Sequence, residues 1–187
     1  MPKFDHEKGL QAIHEAVSVL ESVGVNVWIQ DGTLLGAIRD GKIIEWDHDL
    51  DLGVYSWEWG DKAHDALVAN GFWLRESFNE PEHDYEQHWV KYGVKFDIFH
   101  YYKEPNENIW HGMKGGRFRF YYPKEFVLAP VDLMGKTFPA PYPPEDFLVQ
   151  KYGKEWRKPQ KEWLAGSGPK NSKKVRNDHV AGRKNSR

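Results

Sequence analysis

The sequence predicts an α+β domain, and three observations carry that reading. Apolar residues recur at helical spacing near the start of the chain and again in the 60s. A run of short, β-rich segments separated by glycine or polar turns occupies the middle. The length of 187 residues suits one domain with a real core, and no internal repeat divides it. Element by element, Leu10, Ile13, Val17, Leu20 and Val23 share a helical face and Gly24 stops the run, giving a helix over 8–23. "VNVWIQ" (25–30) alternates as a strand. "DGTLLGAIRDG" turns at Gly32 and continues as a short helix from Thr33 to Arg39. "IIEWDHDLDLGV" (43–54) reads as one strand, followed by a second amphipathic helix from Lys62 to Asn70. "FWLRESF", "HWVKYG", "VKFDIFHYY", "NIWHG" and "RFRFYY" read as further strands. "TFPAPYPP" (137–144) holds too many prolines for a helix or a central strand, so it is expected to be an extended arm into a helix at 145–152.

Composition narrows the function classes. A hydrophobic share of 40% and a charged share of 29% are those of a globular protein. The nine tryptophans and the 15% aromatic content are read as core and loop packing in preference to a carbohydrate-stacking surface. From Pro169 to Arg187, seven basic side chains face one acidic one, a sum of +6; with a whole-chain charge of −2, the body carries −8. An acidic body argues against a stable nucleic-acid partner. The division expected is therefore a domain over 1–166 and a basic, disordered tail over 167–187. There are no cysteines, which excludes disulfides, thiolate zinc sites and cysteine nucleophiles. No apolar run approaches the roughly 18 residues of a membrane span, and Met1–Gly9 has no signal-peptide character, so a cytoplasmic location is expected.

The chemistry centres on Asp47, Asp49 and Asp51. In an extended segment, residues two apart project from one face, so three carboxylates would face together with His48, Leu50 and Leu52 behind them. Like charges that close are costly unless a cation sits against them. Asp97, inside the apolar strand "VKFDIFHYY", is a further acid expected to be buried, and such a group needs a partner. Asp49, Asp51 and Asp97 together form an oxygen-only set suited to Mg²⁺ or Mn²⁺, ions that also bind substrate phosphates. The turn at Gly32 and Thr33 offers N–H groups at a helix start, where phosphate oxygens are well accommodated. Carboxylates beside such a turn point to transfer at phosphorus. A rival zinc site would use His48 with His64 or His100, but His48 falls on the strand face opposite the aspartates.

"DGTLLGAIRDGKIIEWDHDLDLGV" resembles the signature of the LicD and fukutin-related family: a glycine–small–Leu-Leu-Gly-Ala turn, an arginine, then Trp-Asp-x-Asp-hydrophobic-Asp. "VKFDIFHYY" resembles that family's later hydrophobic-Asp-hydrophobic strand, and "FPAPYPPEDFLVQKYGKEWRKP" its proline-rich arm followed by Leu-x-x-x-Tyr-Gly-x-x-Trp. The resemblance runs from about residue 10 to 160. It implies the polymerase-beta-like nucleotidyltransferase fold, a small mixed β-sheet flanked by helices. It also implies transfer of a phospho-alcohol, such as phosphocholine or ribitol phosphate, from a CDP-linked donor to a glycan or sugar hydroxyl, with release of CMP.

On that resemblance Asp49 and Asp51 are the paired metal aspartates and Asp97 the third carboxylate, making these three the catalytic set. Gly32 and Thr33 form the donor phosphate-binding turn, Arg39 is the arginine after the short helix, and Asp47 is a possible further metal group. Asp40 stands where relatives usually have histidine, and His48 where many have aspartate or tyrosine, so the donor stays open. Two other functions compete: nucleotidyl transfer from an NTP to an acceptor, and non-catalytic glycan binding on a decayed transferase fold.

Overall fold

The computed structural model describes residues 4–80, 83–113, 118–161, 172–174 and 183–184. The chain begins with α1 (His6–Ser22), whose start is set by Asp5: its carboxylate accepts a hydrogen bond from Lys8 N–H, so the helix opens two residues earlier than the apolar spacing alone indicates. Then come β1 (Val27–Ile29), α2 (Asp31–Asp40), β2 (Asp51–Tyr55) and α3 (Asp61–Ala69). Five strands follow: β3 (Trp73–Glu80), β4 (His83–Lys91), β5 (Val94–Lys103), β6 (Ile109–Met113) and β7 (Phe118–Tyr122). A two-stranded hairpin of β8 (Leu128–Leu133) and β9 (Lys136–Pro141) leads into α4 (Pro144–Tyr152).

The main sheet is mixed. β5 pairs antiparallel with β4 and β6, and parallel with β2, which in turn pairs antiparallel with β1. Strands β3 and β7 extend it on either side. β1, β2 and β5 thus lie together. Alternation along β5 puts Phe96, Ile98 and His100 on one face and Asp97, Phe99 and Tyr101 on the other. The first face is apolar: Phe96 packs edge-on against Phe72, and the neighbouring Trp89 meets His64 of α3. Trp28, Trp89, Tyr85, Tyr101 and Tyr122 are fully buried, so most of the aromatic payload is core, while Trp57, Trp73, Tyr92 and Tyr142 reach solvent.

Two readings of the sequence need correction, and a third is sharpened. The segment 43–54 is not one strand: β2 starts only at Asp51, and Asp47 and Asp49 lie in the irregular stretch before it. Gly32 does not sit in a turn ahead of the helix but inside the first turn of α2. The proline-rich arm is itself β9, with Pro139 opposite Pro130 of β8; a two-stranded ladder consists of edges only, so the missing donors are tolerated there. The disordered-tail reading falls largely outside the described residues. Within it, β10 (Ser172–Lys174) pairs with β7 and β11 (Arg183–Lys184) with β3.

Candidate active site

The site forms where β1, α2 and β2 meet, and three residues around the α2 start hold Asp51. Gln30 N–H donates to the Asp51 carbonyl at 3.1 Å, Gly32 N–H to Asp51 Oδ2 at 3.0 Å, and Asp51 N–H to Thr33 Oγ1 at 2.8 Å. The close approach explains Gly32: a Cβ there would lie 2.6 Å from Asp47 Oδ2 and 3.3 Å from Asp51 Oδ2. Two residues on, and on the same face of β2, a Cβ on Gly53 would strike the Trp28 ring at 2.4 Å. The strand can therefore sit against Trp28, itself fully buried, only as glycine.

β-sheet register brings the remaining groups in. Asp51 pairs with Asp97 across β2 and β5, Asp97 N–H donates to the Leu50 carbonyl at 2.7 Å, and Asp97 pairs with His88 across β5 and β4. The result is a row of ionisable side chains across three strands. His88 Nε2 lies 2.8 Å from Glu86 Oε1 and 3.6 Å from Asp97 Oδ1. Lys95, two residues before Asp97 on the same face, places its Nζ 2.9 Å from Asp49 Oδ2 and 2.8 and 2.7 Å from the two Asp97 oxygens.

Asp47, Asp49, Asp51 and Asp97 all line one cavity of about 580 Å³ with Gly32 and Glu86. Trp46, Phe78, Phe99 and Met113 supply the apolar part of its lining, and Lys161 lines it as well. Burial pushes Asp97 up to about 7, against the lowering pull of Lys95 and His88. Burial, then the charge of Asp49, pushes Asp47 up to about 7 as well. Asp51 is raised well above the usual carboxylate range by burial and by the charges of Asp49, Asp31, Asp47 and Asp97. Burial alone would lower Lys95, but Asp97 and Asp49 outweigh it and hold the ammonium charged. His88 follows the same pattern: burial lowers it, while Glu86 and Asp97 raise it by more. The site is a concentration of acid relieved by two cations, with an oxygen-rich donor set of the kind hard divalent ions take.

Beneath this lies a pair that sequence reading missed. Asp31, at φ 44° in the first turn of α2, accepts a hydrogen bond at 2.9 Å from Lys151 of α4, whose side chain is wholly buried. Burial, then the lysine charge, pushes His111 well below the ordinary histidine range, so its neutral Nε2 can accept from Lys151 at 3.3 Å. The same ammonium lies 3.9 Å from the centre of the Phe120 ring. The pair ties α4 to the first turn of α2.

Of the residues singled out in the sequence, Gly32, Asp47, Asp49, Asp51 and Asp97 come together. Thr33 is buried and its hydroxyl holds the start of β2 rather than facing the cavity. Arg39 makes a two-pronged ion pair with Asp40, at 2.9 and 2.7 Å, and lines the adjoining crevice with Glu155 and Trp156. His64 contacts Asp65 and His100 is buried against Trp59, so the histidine zinc set is not assembled. Among the described residues, the histidine-containing group is instead Glu86, His88 and Asp97, whose ligand atoms lie within 4.8 Å of one another. A signal for it existed: Tyr92 and Gly93, both at positive φ, form a two-residue hairpin turn, and counting outward from it sets His88 opposite Asp97.

Comparison with known proteins agrees with this architecture. Residues 24–143 match the family model described as LicD/FKTN/FKRP, nucleotidyltransferase domain. Ribitol-5-phosphate transferase FKTN of Mus musculus is 29% identical over 170 residues, covering 88% of this chain and 36% of that protein. Ribitol 5-phosphate transferase FKRP of Homo sapiens is 30% identical over 157 residues, covering 77% and 32%. The chain thus spans about a third of the length of these curated relatives, which by name are transferases of a phosphorus-containing group. The solution structure of the antibiotic-resistance factor ANT(2'')-Ia superposes with a TM-score of 0.50 at 13% identity, covering 82% of each chain, a likeness of fold alone. With a mixed sheet flanked by helices, the carboxylates gathered at the α2 start and most of its length matched by the family model, this chain belongs to the LicD/FKTN/FKRP nucleotidyltransferase domain family.

Proposed function

We propose that this chain is a divalent-cation-dependent transferase that moves a phospho-alcohol from a CDP-linked donor to a hydroxyl of a sugar or glycan, with CMP as the leaving group. The observation that carries the reading is the convergence of Asp47, Asp49, Asp51 and Asp97 in one cavity against the first turn of α2. Asp49, Asp51 and Asp97 would hold Mg²⁺ or Mn²⁺, with Asp47 near enough to join them. The ion would supply charge neutralisation on the donor phosphates. The first turn of α2 presents its positive end to those phosphates. Asp97 takes the proton of the acceptor hydroxyl as its oxygen bonds to phosphorus and the bond from phosphorus to CMP breaks. Trp46, Phe78, Phe99 and Met113 give the cavity an apolar lining beside the carboxylates. Given what its relatives are named for transferring, ribitol phosphate is the first group to try, with phosphocholine next.

The test is a screen of CDP-ribitol, CDP-choline, CDP-glycerol and free NTPs with Mg²⁺ or Mn²⁺ and a panel of sugar acceptors. Acceptor-dependent release of CMP is the expected result. Pyrophosphate from a free NTP would assign nucleotidyl transfer instead. Glycan binding with no nucleotide bound or released would refute catalysis altogether.

A further inference from the structure

An acidic cluster of this density should be costly without a metal ion, and Lys95 already sets one positive charge against two of its members, Asp49 and Asp97. The Lys95 ammonium lies within hydrogen-bond reach of three oxygens on two residues: Asp49 Oδ2 at 2.9 Å and both oxygens of the Asp97 carboxylate at 2.8 and 2.7 Å. Those two residues stand on different segments, Asp49 in the irregular stretch before β2 and Asp97 within β5, and the lysine joins them. A divalent ion bound by Asp49 and Asp97 would use the same oxygens. Two cations sharing carboxylate oxygens at that distance repel strongly, and more so where water is scarce. The Lys95 side chain is 23% exposed, so its flexible stem has a way out. His88, on the neighbouring strand, lies 3.6 Å from Asp97 and is itself held between Glu86 and Glu76.

We infer that Lys95 is a resident counter-cation: it occupies the place of a divalent ion between Asp49 and Asp97, holds both carboxylates in position while the site is metal-free, and is expelled when the ion enters. The inference rests on the metal reading above and deepens it. It makes metal loading a cation exchange, so affinity for the ion reflects the cost of evicting the lysine. It also leaves a free ammonium beside the cavity once the ion is bound.

Two measurements test it. In the first, wild-type protein is reductively methylated in EDTA and in saturating Mn²⁺, and Lys95 is followed by peptide mass spectrometry. Lys95 should react several-fold faster with Mn²⁺, while Lys91, tied to Glu15 on α1, should react alike in both. In the second, Mn²⁺ affinity is measured by calorimetry for wild type and Lys95→Met. The variant should bind Mn²⁺ tighter by on the order of tenfold or more, and should melt lower than wild type in EDTA but gain more from Mn²⁺. Unchanged Lys95 reactivity, or weaker Mn²⁺ binding by the variant, would overturn the inference. If the variant fails to fold, the wild-type methylation result decides. Absence of any Mn²⁺ binding to wild type would be a different failure, that of the metal reading itself.

Discussion

Lys151→Met removes the positive half of the buried pair with Asp31. The lysine side chain has no exposure and that of Asp31 only 6%, so water cannot replace the lost partner. Asp31 would keep a carboxylate with Oδ1 already without a hydrogen-bond partner and Oδ2 stripped of its 2.9 Å contact. Breaking one side of a buried pair costs about 3–5 kcal/mol. For a chain of this size that is a fall in melting temperature of about 6–20 °C. Burial already pushes the Asp31 carboxyl upward against the pull of Lys151, so the variant should take up a proton there, and its deficit should shrink toward acid pH. Asp31→Leu/Lys151→Met, which replaces the pair by apolar groups, should recover most of the loss. Urea denaturation of the two single variants and the double, at pH 5 and pH 7, measures the coupling. A Lys151→Met protein within about 1 kcal/mol of wild type, or a double variant as damaged as the single, would refute the reasoning that the pair locks α4 to α2.

Asp97→Asn, assayed with the productive donor and acceptor at saturating Mn²⁺, should lose on the order of 10²- to 10⁴-fold in turnover while still binding donor; near-wild-type turnover would reduce Asp97 to a metal ligand. Gly32→Ala drives a methyl to within 2.6 Å of Asp47 Oδ2, so Mn²⁺ affinity by calorimetry should fall clearly while the fold survives; unchanged affinity would separate the α2 start from the metal site. In EDTA, stability should decline as pH rises from about 4 to about 7. Asp47 and Asp97 are both raised from the ordinary 3.8 to about 7, so over that window the native state holds protons that the unfolded chain has released. Thermal melts across that range check the sign, and a rising melting temperature would contradict it.

Much of the fold was legible because its signals are local. Leu10, Ile13, Val17 and Leu20 state α1 by spacing, and the apolar neighbours of Asp97 state a buried strand. The alternation of Asp47, Asp49 and Asp51 misled for a physical reason. Period-two spacing describes side-chain direction in any extended backbone, but a strand needs a ladder partner, and β1 spans only Val27–Ile29, reaching back to Leu52. Lys95 was readable in principle, since it lies two residues from Asp97 and must share its face. Lys151 was not: its partner is 120 positions away, and nothing in "FLVQKYGKEW" marks one lysine of a helix as buried.

The manner in which Asp51 is held has a kinetic consequence. Its carbonyl, its N–H and one carboxylate oxygen are each committed to residues 30–33, and the strand behind it is wedged against Trp28. Asp47 and Asp49 belong to a stretch with no ladder of its own, and the Asp49 side chain is 35% exposed. One wall of the cavity is an anvil and the other a latch. The parts of the wall free to move as an occupant enters or leaves are therefore residues 45–50 and the Lys95 side chain, not the backbone of the sheet. Substitutions in that stretch should tune residence time while leaving the floor of the site where it is.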